Sequence, residues 1–369
     1  MSILKQASIV ALGTALTALG TGGAAKAIVI SSSSPDNHLV SPGEFSGVAQ
    51  LAALDTGAGF CTSSLLSGGS YLLTAAHCIT DETGKFDTTL FNNTGAIFNL
   101  SSGSVSVPIV DFFIHPDYNG SVGRGNDVAL VKLGELAPAD AQQYDLYRNT
   151  DEVNQIFTVL GYGFTGTGNQ GVTEDSVYGI KLMGQNQFDA LGDIFQPFVQ
   201  LVQPSEQNFT IIPGSQLVFD FDNGQPENDF LGVHFGINDT GLGIQEVNIA
   251  PGDSGGPSFI GNLIAGITSW HLSDAVVLPD GTVVPLAPDG KIADINPGSN
   301  PFRPTNPNSS FGEWANVARV SSYTSFIDDV VAGKVRSSVS VPEPSSVLGI
   351  IGLGIWSAFS FGKTRKRQH

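Results

Sequence analysis

The chain has 369 residues, with 16 Lys and Arg against 34 Asp and Glu, and a net charge of −18. So acidic a balance excludes nucleic acid as a natural partner, and 41% apolar residues exclude a disordered chain. Two cysteines are too few for a disulfide-framework miniprotein or a cysteine-ligated zinc domain, while 45 glycines and only 14% charged residues favour short strands and turns over helices.

Read from its start, the chain carries Lys5, an apolar run over residues 9–19 and then Ala25-Lys26-Ala27. That is the charged, apolar, small-residue order of a secretory signal peptide over residues 1–27, with signal peptidase as the processing partner. An N-terminal membrane anchor is the alternative, although the apolar run is short for one. Strand-like runs follow at 47–54, 71–74, 105–114, 128–133, 156–160, 217–221 and 263–267, each bounded by Gly, Asn, Asp or Pro. The polar segment 137–151 is the expected inter-domain link, dividing 28–145 from 146–335. Between them Asp220, Asp222, Glu227 and Asp229 concentrate oxygen ligands without the spacing of an EF-hand loop. A solvated acidic loop is the preferred reading there and a calcium site the alternative. His38, His115 and His234 show no metal-ligand spacing, so no metal or cofactor is expected. Residues 279–310 read as a long surface loop. The one helical period covers residues 320–331, with Val320, Tyr323, Thr324, Ile327 and Val331 on one face.

The other end has three parts. A linker over 336–346 contains Val341-Pro342-Glu343-Pro344, an apolar stretch runs from 347 to 361, and Lys363, Arg365, Lys366 and Arg367 close the chain. The apolar stretch falls short of the roughly 20 residues that span a bilayer, and its basic flank fits the positive-inside rule. The arrangement resembles a bacterial PEP-CTERM sorting signal, which implies an exosortase-type sorting enzyme as a partner. An ordinary tail anchor is the alternative. Either reading puts the body of the protein in a secreted, extracellular or cell-surface location. Lys5, Lys26 and the four tail residues are basic, and Glu343 is the sole acidic residue in either end, so the body is more acidic than the whole chain.

Three local motifs occur in order: Leu73-Thr74-Ala75-Ala76-His77-Cys78, Asn126-Asp127-Val128-Ala129-Leu130-Val131 and Gly252-Asp253-Ser254-Gly255-Gly256-Pro257. Together they resemble the chymotrypsin/trypsin-like serine endopeptidases, whose triad runs His, Asp, Ser along the chain. The resemblance extends to Leu160-Gly161-Tyr162-Gly163, to residues 264–270 and to Arg319-Val320-Ser321-Ser322-Tyr323, and is poorest over 165–246 and 272–312. It implies an all-β fold of two six-stranded antiparallel β-barrels with a C-terminal helix.

The resemblance also implies roles. A serine hydroxyl needs a base to become a nucleophile at neutral pH. Ser254 would be that nucleophile, His77 the base and then the acid, and Asp127 the group that fixes the imidazole. The N–H groups of Gly252 and Ser254 would form the oxyanion hole. Cys61 and Cys78 would form the disulfide that pins the histidine loop, two free thiols being the alternative. Ile28, freed by signal-peptide cleavage, would pair with Asp253 and assemble the site; a plain polar terminus is the competing reading. Asn248, six residues before Ser254, would floor the specificity pocket without a negative charge. Ser269, Trp270 and His271 would lie along the substrate, with His271 where the family usually has Gly. Small, polar or medium apolar side chains are therefore expected at the cleavage position of a protein or peptide substrate. The alternative function is a non-catalytic matrix or adhesion protein on the same fold; a third is an esterase or peptidase confined to small substrates.

Overall fold

The computed structural model describes residues 28–31, 38–90, 93–197, 210–278, 280–287, 290–301 and 303–339. The expected leader, the PEP motif and the apolar tail lie outside the described residues. Among the described residues no helix is long and apolar enough to cross a membrane.

The described chain opens with strand β1 (Ile28–Ile30), buried along its whole length. Then come β2 (Val48–Ala53), β3 (Gly59–Leu65), β4 (Tyr71–Thr74), β5 (Thr94–Leu100), β6 (Gly103–Ile114) and β7 (Ala129–Leu133). These six close into a barrel in the order β2-β3-β4-β7-β6-β5. Alternation in the sequence explains the closure. In β6, Val107 and Ile109 turn inward while Ser106 and Pro108 face solvent, as a period of two requires on a pleated strand.

The second half contains β8 (Asp145–Leu146), β9 (Ile156–Gly161), β10 (Thr165–Thr167), β11 (Gly171–Val172), β12 (Leu182–Gln187), β13 (Ala190–Leu191) and β14 (Gln216–Asp220). A short helix α1 (Phe230–Phe235) precedes β15 (Val247–Asn248), β16 (Pro257–Ile260) and β17 (Leu263–Leu272). Two hairpins, β18 (Ala275–Val277) with β19 (Val283–Pro285) and β20 (Ser299–Asn300) with β21 (Arg303–Pro307), lead to β22 (Trp314–Arg319) and helix α2 (Val320–Val331).

The all-β expectation with one long C-terminal helix therefore holds, but the second barrel is an open sheet. Its eight strands run β12-β9-β16-β17-β22-β14-β13, with β8 added in parallel to β17. Between β12 and β14 no strand ladder forms. The side chain of Asn186 bridges there instead, donating to Asp220 O at 2.7 Å and to Val247 O at 3.1 Å. A separate small sheet, β11-β10-β1-β15, holds the N-terminal strand parallel to β10 and antiparallel to β15.

Other expectations shift in detail. The segment 137–151 bonds to both halves: Tyr144 N–H donates to Leu65 O and Tyr147 N–H to Ile264 O, each at 2.9 Å. The expected surface loop at 279–310 contains β19, β20 and β21 and ends buried at Asn308, Ser309 and Ser310. In α2, Val330 takes the inward place expected of Val331, beside Val320, Tyr323 and Ile327. That face packs into the apolar core of the first barrel.

Candidate active site

His77 sits on a single helical turn, Ala76–Cys78, directly after β4. Its backbone N–H donates to Asp127 Oδ1 at 2.8 Å, and its ring Nδ1 lies 2.7 Å from Asp127 Oδ2. Ser269 Oγ donates to the same Oδ2 at 2.5 Å. An ionised carboxylate only accepts, so the ring proton belongs on Nδ1, and Nε2 is left as the acceptor of the neutral imidazole. Asp127 is 1% exposed. Burial alone would raise its pKa, but the His77 ring and the donors from His77 and Ser269 hold it below the ordinary value.

The aspartate is held by the far end of the chain. Asn126 takes a left-handed backbone with φ +62°, its N–H donates to Tyr323 Oη at 2.8 Å, and its side chain donates to Asp117 O at 3.2 Å. Tyr323 projects from α2, so the C-terminal helix braces the turn that carries Asp127.

The serine turn meets the histidine loop through the backbone. Ser254 O accepts from Thr62 N–H at 2.8 Å and lies 3.6 Å from Cys78 Sγ, the residue after His77. Cys61 and Cys78 are joined by a disulfide with Cα atoms 6.1 Å apart, so the pairing implied by the resemblance is present. Two glycines allow this approach. Gly252 has φ +103°, and a Cβ there would sit 2.3 Å from the Tyr178 ring; Gly255 has φ +80°, and its Cβ would sit 2.1 Å from Thr74 Oγ1. Among the described residues the N–H groups of Gly252 and Ser254 have no acceptor, whereas those of Asp253, Gly255 and Gly256 bond to Ala250 O, Thr268 O and Asp253 O.

The remaining sequence-predicted residues divide. Ser269 lies at a shift of register between β17 and β22, which drops it out of the ladder and frees its hydroxyl for Asp127. Trp270 packs edge-on against Trp314 with ring centroids 4.8 Å apart. His271 is buried, and its Nε2 lies 3.1 Å from Ser309 Oγ. It touches the inserted segment rather than standing free, and burial pushes its pKa down to about 4. Asn248 is fully buried, its Oδ1 accepting from Ile249 N–H at 2.9 Å and its Nδ2 without a partner among the described residues. Asp253 is buried, accepting from Gly163 and Ala250 N–H at 2.8 Å each. Among the described residues no cation pairs with it, and burial raises its pKa to about 7 despite those two bonds.

The sequence gives no signal for Thr62. Its hydroxyl donates to Gly252 O at 3.0 Å and accepts from Tyr162 N–H at 3.1 Å, while its carbonyl accepts from Thr74 Oγ1 at 2.9 Å. It ties the serine turn to the first barrel from the middle of an ordinary strand.

The structure of neuropsin, a serine protease expressed in the limbic system of mouse brain, matches 80% of this chain and 98% of its own with a TM-score of 0.50 at 16% sequence identity. The fold is trypsin-like. The Trypsin family model matches residues 38–189, a span of this trypsin-like chain that holds His77 and Asp127 and stops short of Ser254. Serine protease Hayan of Drosophila melanogaster is 31% identical over 150 residues, covering 38% of this chain and 22% of Hayan. Ovochymase of Halocynthia roretzi is 35% identical over 79 residues, covering 21% of this chain and 5% of ovochymase. The chain thus spans about a fifth of the one curated relative and a twentieth of the other.

Proposed function

We propose that this chain is a serine endopeptidase that cleaves protein or peptide substrates through an acyl-enzyme. The observation that carries the reading is the bond of His77 to a buried Asp127, set beside a serine turn with two unclaimed N–H groups. Ser254 Oγ attacks the carbonyl carbon as His77 Nε2 takes its proton, and the same nitrogen then protonates the leaving amine. Asp127 keeps Nδ1 protonated and stabilises the imidazolium. The N–H groups of Gly252 and Ser254 donate to the oxyanion of the tetrahedral intermediate. Water then takes the place of the amine and releases the acyl group by the same steps.

An extended substrate has a place to lie. β17 pairs with β16 only as far as Ile267, and Thr268 is claimed by Gly255 and Gly256. From Ser269 onward that edge carries no strand among the described residues, which suits addition of a substrate strand. Asn248 brings no negative charge to the pocket floor, so a strict Lys/Arg preference is not expected.

Activation by a new N-terminus belongs to the same reading. Ile28 is buried with φ +69°, a costly backbone for a β-branched residue. Cutting the 27–28 bond removes that constraint and supplies an ammonium for Asp253, which has no cation partner among the described residues. Signal peptidase would make the cut on export, and an exosortase-type enzyme would process the tail. N-terminal sequencing of active protein checks this, and a start other than Ile28 rules it out.

The decisive experiment is labelling of the mature protein with a fluorophosphonate probe. Labelling lost in Ser254→Ala, with peptide hydrolysis falling by about 10⁶-fold in His77→Ala, is expected. An unlabelled, folded mature chain would favour a matrix or adhesion role.

A further inference from the structure

The acidic stretch after β14, expected to be solvated, is buried. Asp220, Asp222 and Asp229 are 2%, 3% and 2% exposed, and one oxygen from each lies within 4.8 Å of one from each of the others. We propose that these three carboxylates hold a calcium ion at the open side of the second sheet. The proposal does not depend on the peptidase reading.

Backbone donors account for part of the group. Asp220 Oδ2 accepts from Leu231 N–H at 2.7 Å, and Asp229 accepts from Gly232 and Asp239 N–H at 2.5 and 3.1 Å. Asp222 is different. Among the described residues its Oδ1 is buried without a hydrogen-bond partner, and the strongest charge effects on its carboxyl come from Glu246, Asp229, Asp189 and Asp239, all acidic. Such a buried, unpaired carboxylate oxygen is costly unless something positive meets it. Protons are another way to neutralise the group, and burial among like charges does push Asp222 up to about 9 and Glu246 up to about 8. A shared proton bridges only two carboxylate oxygens, whereas one cation meets all three carboxylates at once.

The donor set selects the ion. Carboxylate oxygens without His or Cys suit a hard cation rather than zinc or copper. Magnesium keeps several waters and resists a closed protein cage, whereas calcium takes roughly six to eight oxygens in flexible geometry. The surroundings say what the ion would do. Asp222 N–H donates to Glu246 Oε1 at 2.7 Å, Glu246 O accepts from Ser31 N–H at 3.1 Å, and Asn186 reaches Asp220 O from β12. The ion would therefore fasten the end of β14 to the strand bearing Asn248 and to the residue after β1, across the gap where no ladder forms.

The test uses the full chain with Ser254→Ala, so that self-cleavage does not contribute. Protein stripped with chelator and dialysed against calcium should retain about one ion per chain by elemental analysis, and its melting temperature should rise by several degrees. Magnesium at the same concentration should give neither result. Asp222→Asn should lose the ion and the calcium-dependent rise. Asp229→Ser, which keeps a cap for Gly232 N–H while removing a carboxylate, should weaken binding at least tenfold and guards against misfolding of the first variant. No retained calcium in the parent chain, equal stabilisation by magnesium, or full retention of calcium in folded variants would each overturn the proposal.

Discussion

The first barrel closes on itself around an apolar core, whereas the second sheet stays open between β12 and β14 and gathers carboxylates at the gap. In the closed barrel, strand pairing satisfies the backbone and a disulfide fastens the histidine loop. In the open half, the side chain of Asn186 does what a ladder would do, and acids from four separated stretches of chain meet beside it. The contrast teaches that the two halves are held by different physics. One relies mainly on packing and covalent closure and should be less sensitive to pH and ions. The other carries buried charge that must be neutralised.

Three measurements can break or sharpen that contrast, taken from the largest effect down. Asp253 lies in the open half, with its pKa raised from 3.8 to about 7 by burial. A raised carboxyl means the folded state binds more protons than the unfolded one, so stability falls as pH rises from about 4 to about 7. For the uncut chain this amounts to about 4 kcal/mol at most. Urea midpoints at pH 4 and pH 8 should therefore separate further in the uncut chain than in Asp253→Asn. Identical pH dependence in both would remove Asp253 from the account, and cutting before Ile28 should flatten the wild-type curve.

The closed half is probed by its disulfide. Replacing Cys61 and Cys78 together by Ala should lower stability by about 3 kcal/mol through the 17-residue loop, with no change in pH dependence. A new pH dependence would show that the two halves are not separable in this way. The smallest effect tests the joint between them. Ser269 reaches from the second sheet to Asp127 in the first half, a bond to a charged acceptor worth about 1.5–3 kcal/mol. Ser269→Ala should lower kcat roughly ten- to a hundredfold, with KM nearly unchanged. An effect on KM alone would place Ser269 on the substrate rather than on Asp127.

Much of this was legible in the chain. Four of the six first-barrel strands, β2, β4, β6 and β7, fall in apolar runs bounded by turn residues while β3 and β5 lie outside them, α2 shows through its period, and the His77, Asp127 and Ser254 motifs show through the glycines and small residues around them. The cysteine pair followed from the resemblance. What escaped notice shares a cause. Thr62 and Tyr323 are ordinary residues of a strand and a helix, and their importance comes from partners 190 and 197 residues away. No local pattern marks such a contact.

The acidic stretch shows the same boundary most clearly. By itself the sequence determined the alternation within the strands of the first barrel, the C-terminal helix and the order of the three motifs, because each is a local pattern that short-range sterics and burial enforce. The tertiary structure alone decided that the second sheet stays open, that Ser269 turns toward Asp127, and that Asp220, Asp222 and Asp229 are buried together. Those outcomes depend on which distant segments exclude water from one another, and exclusion of water is a property of the assembled fold rather than of any stretch of chain.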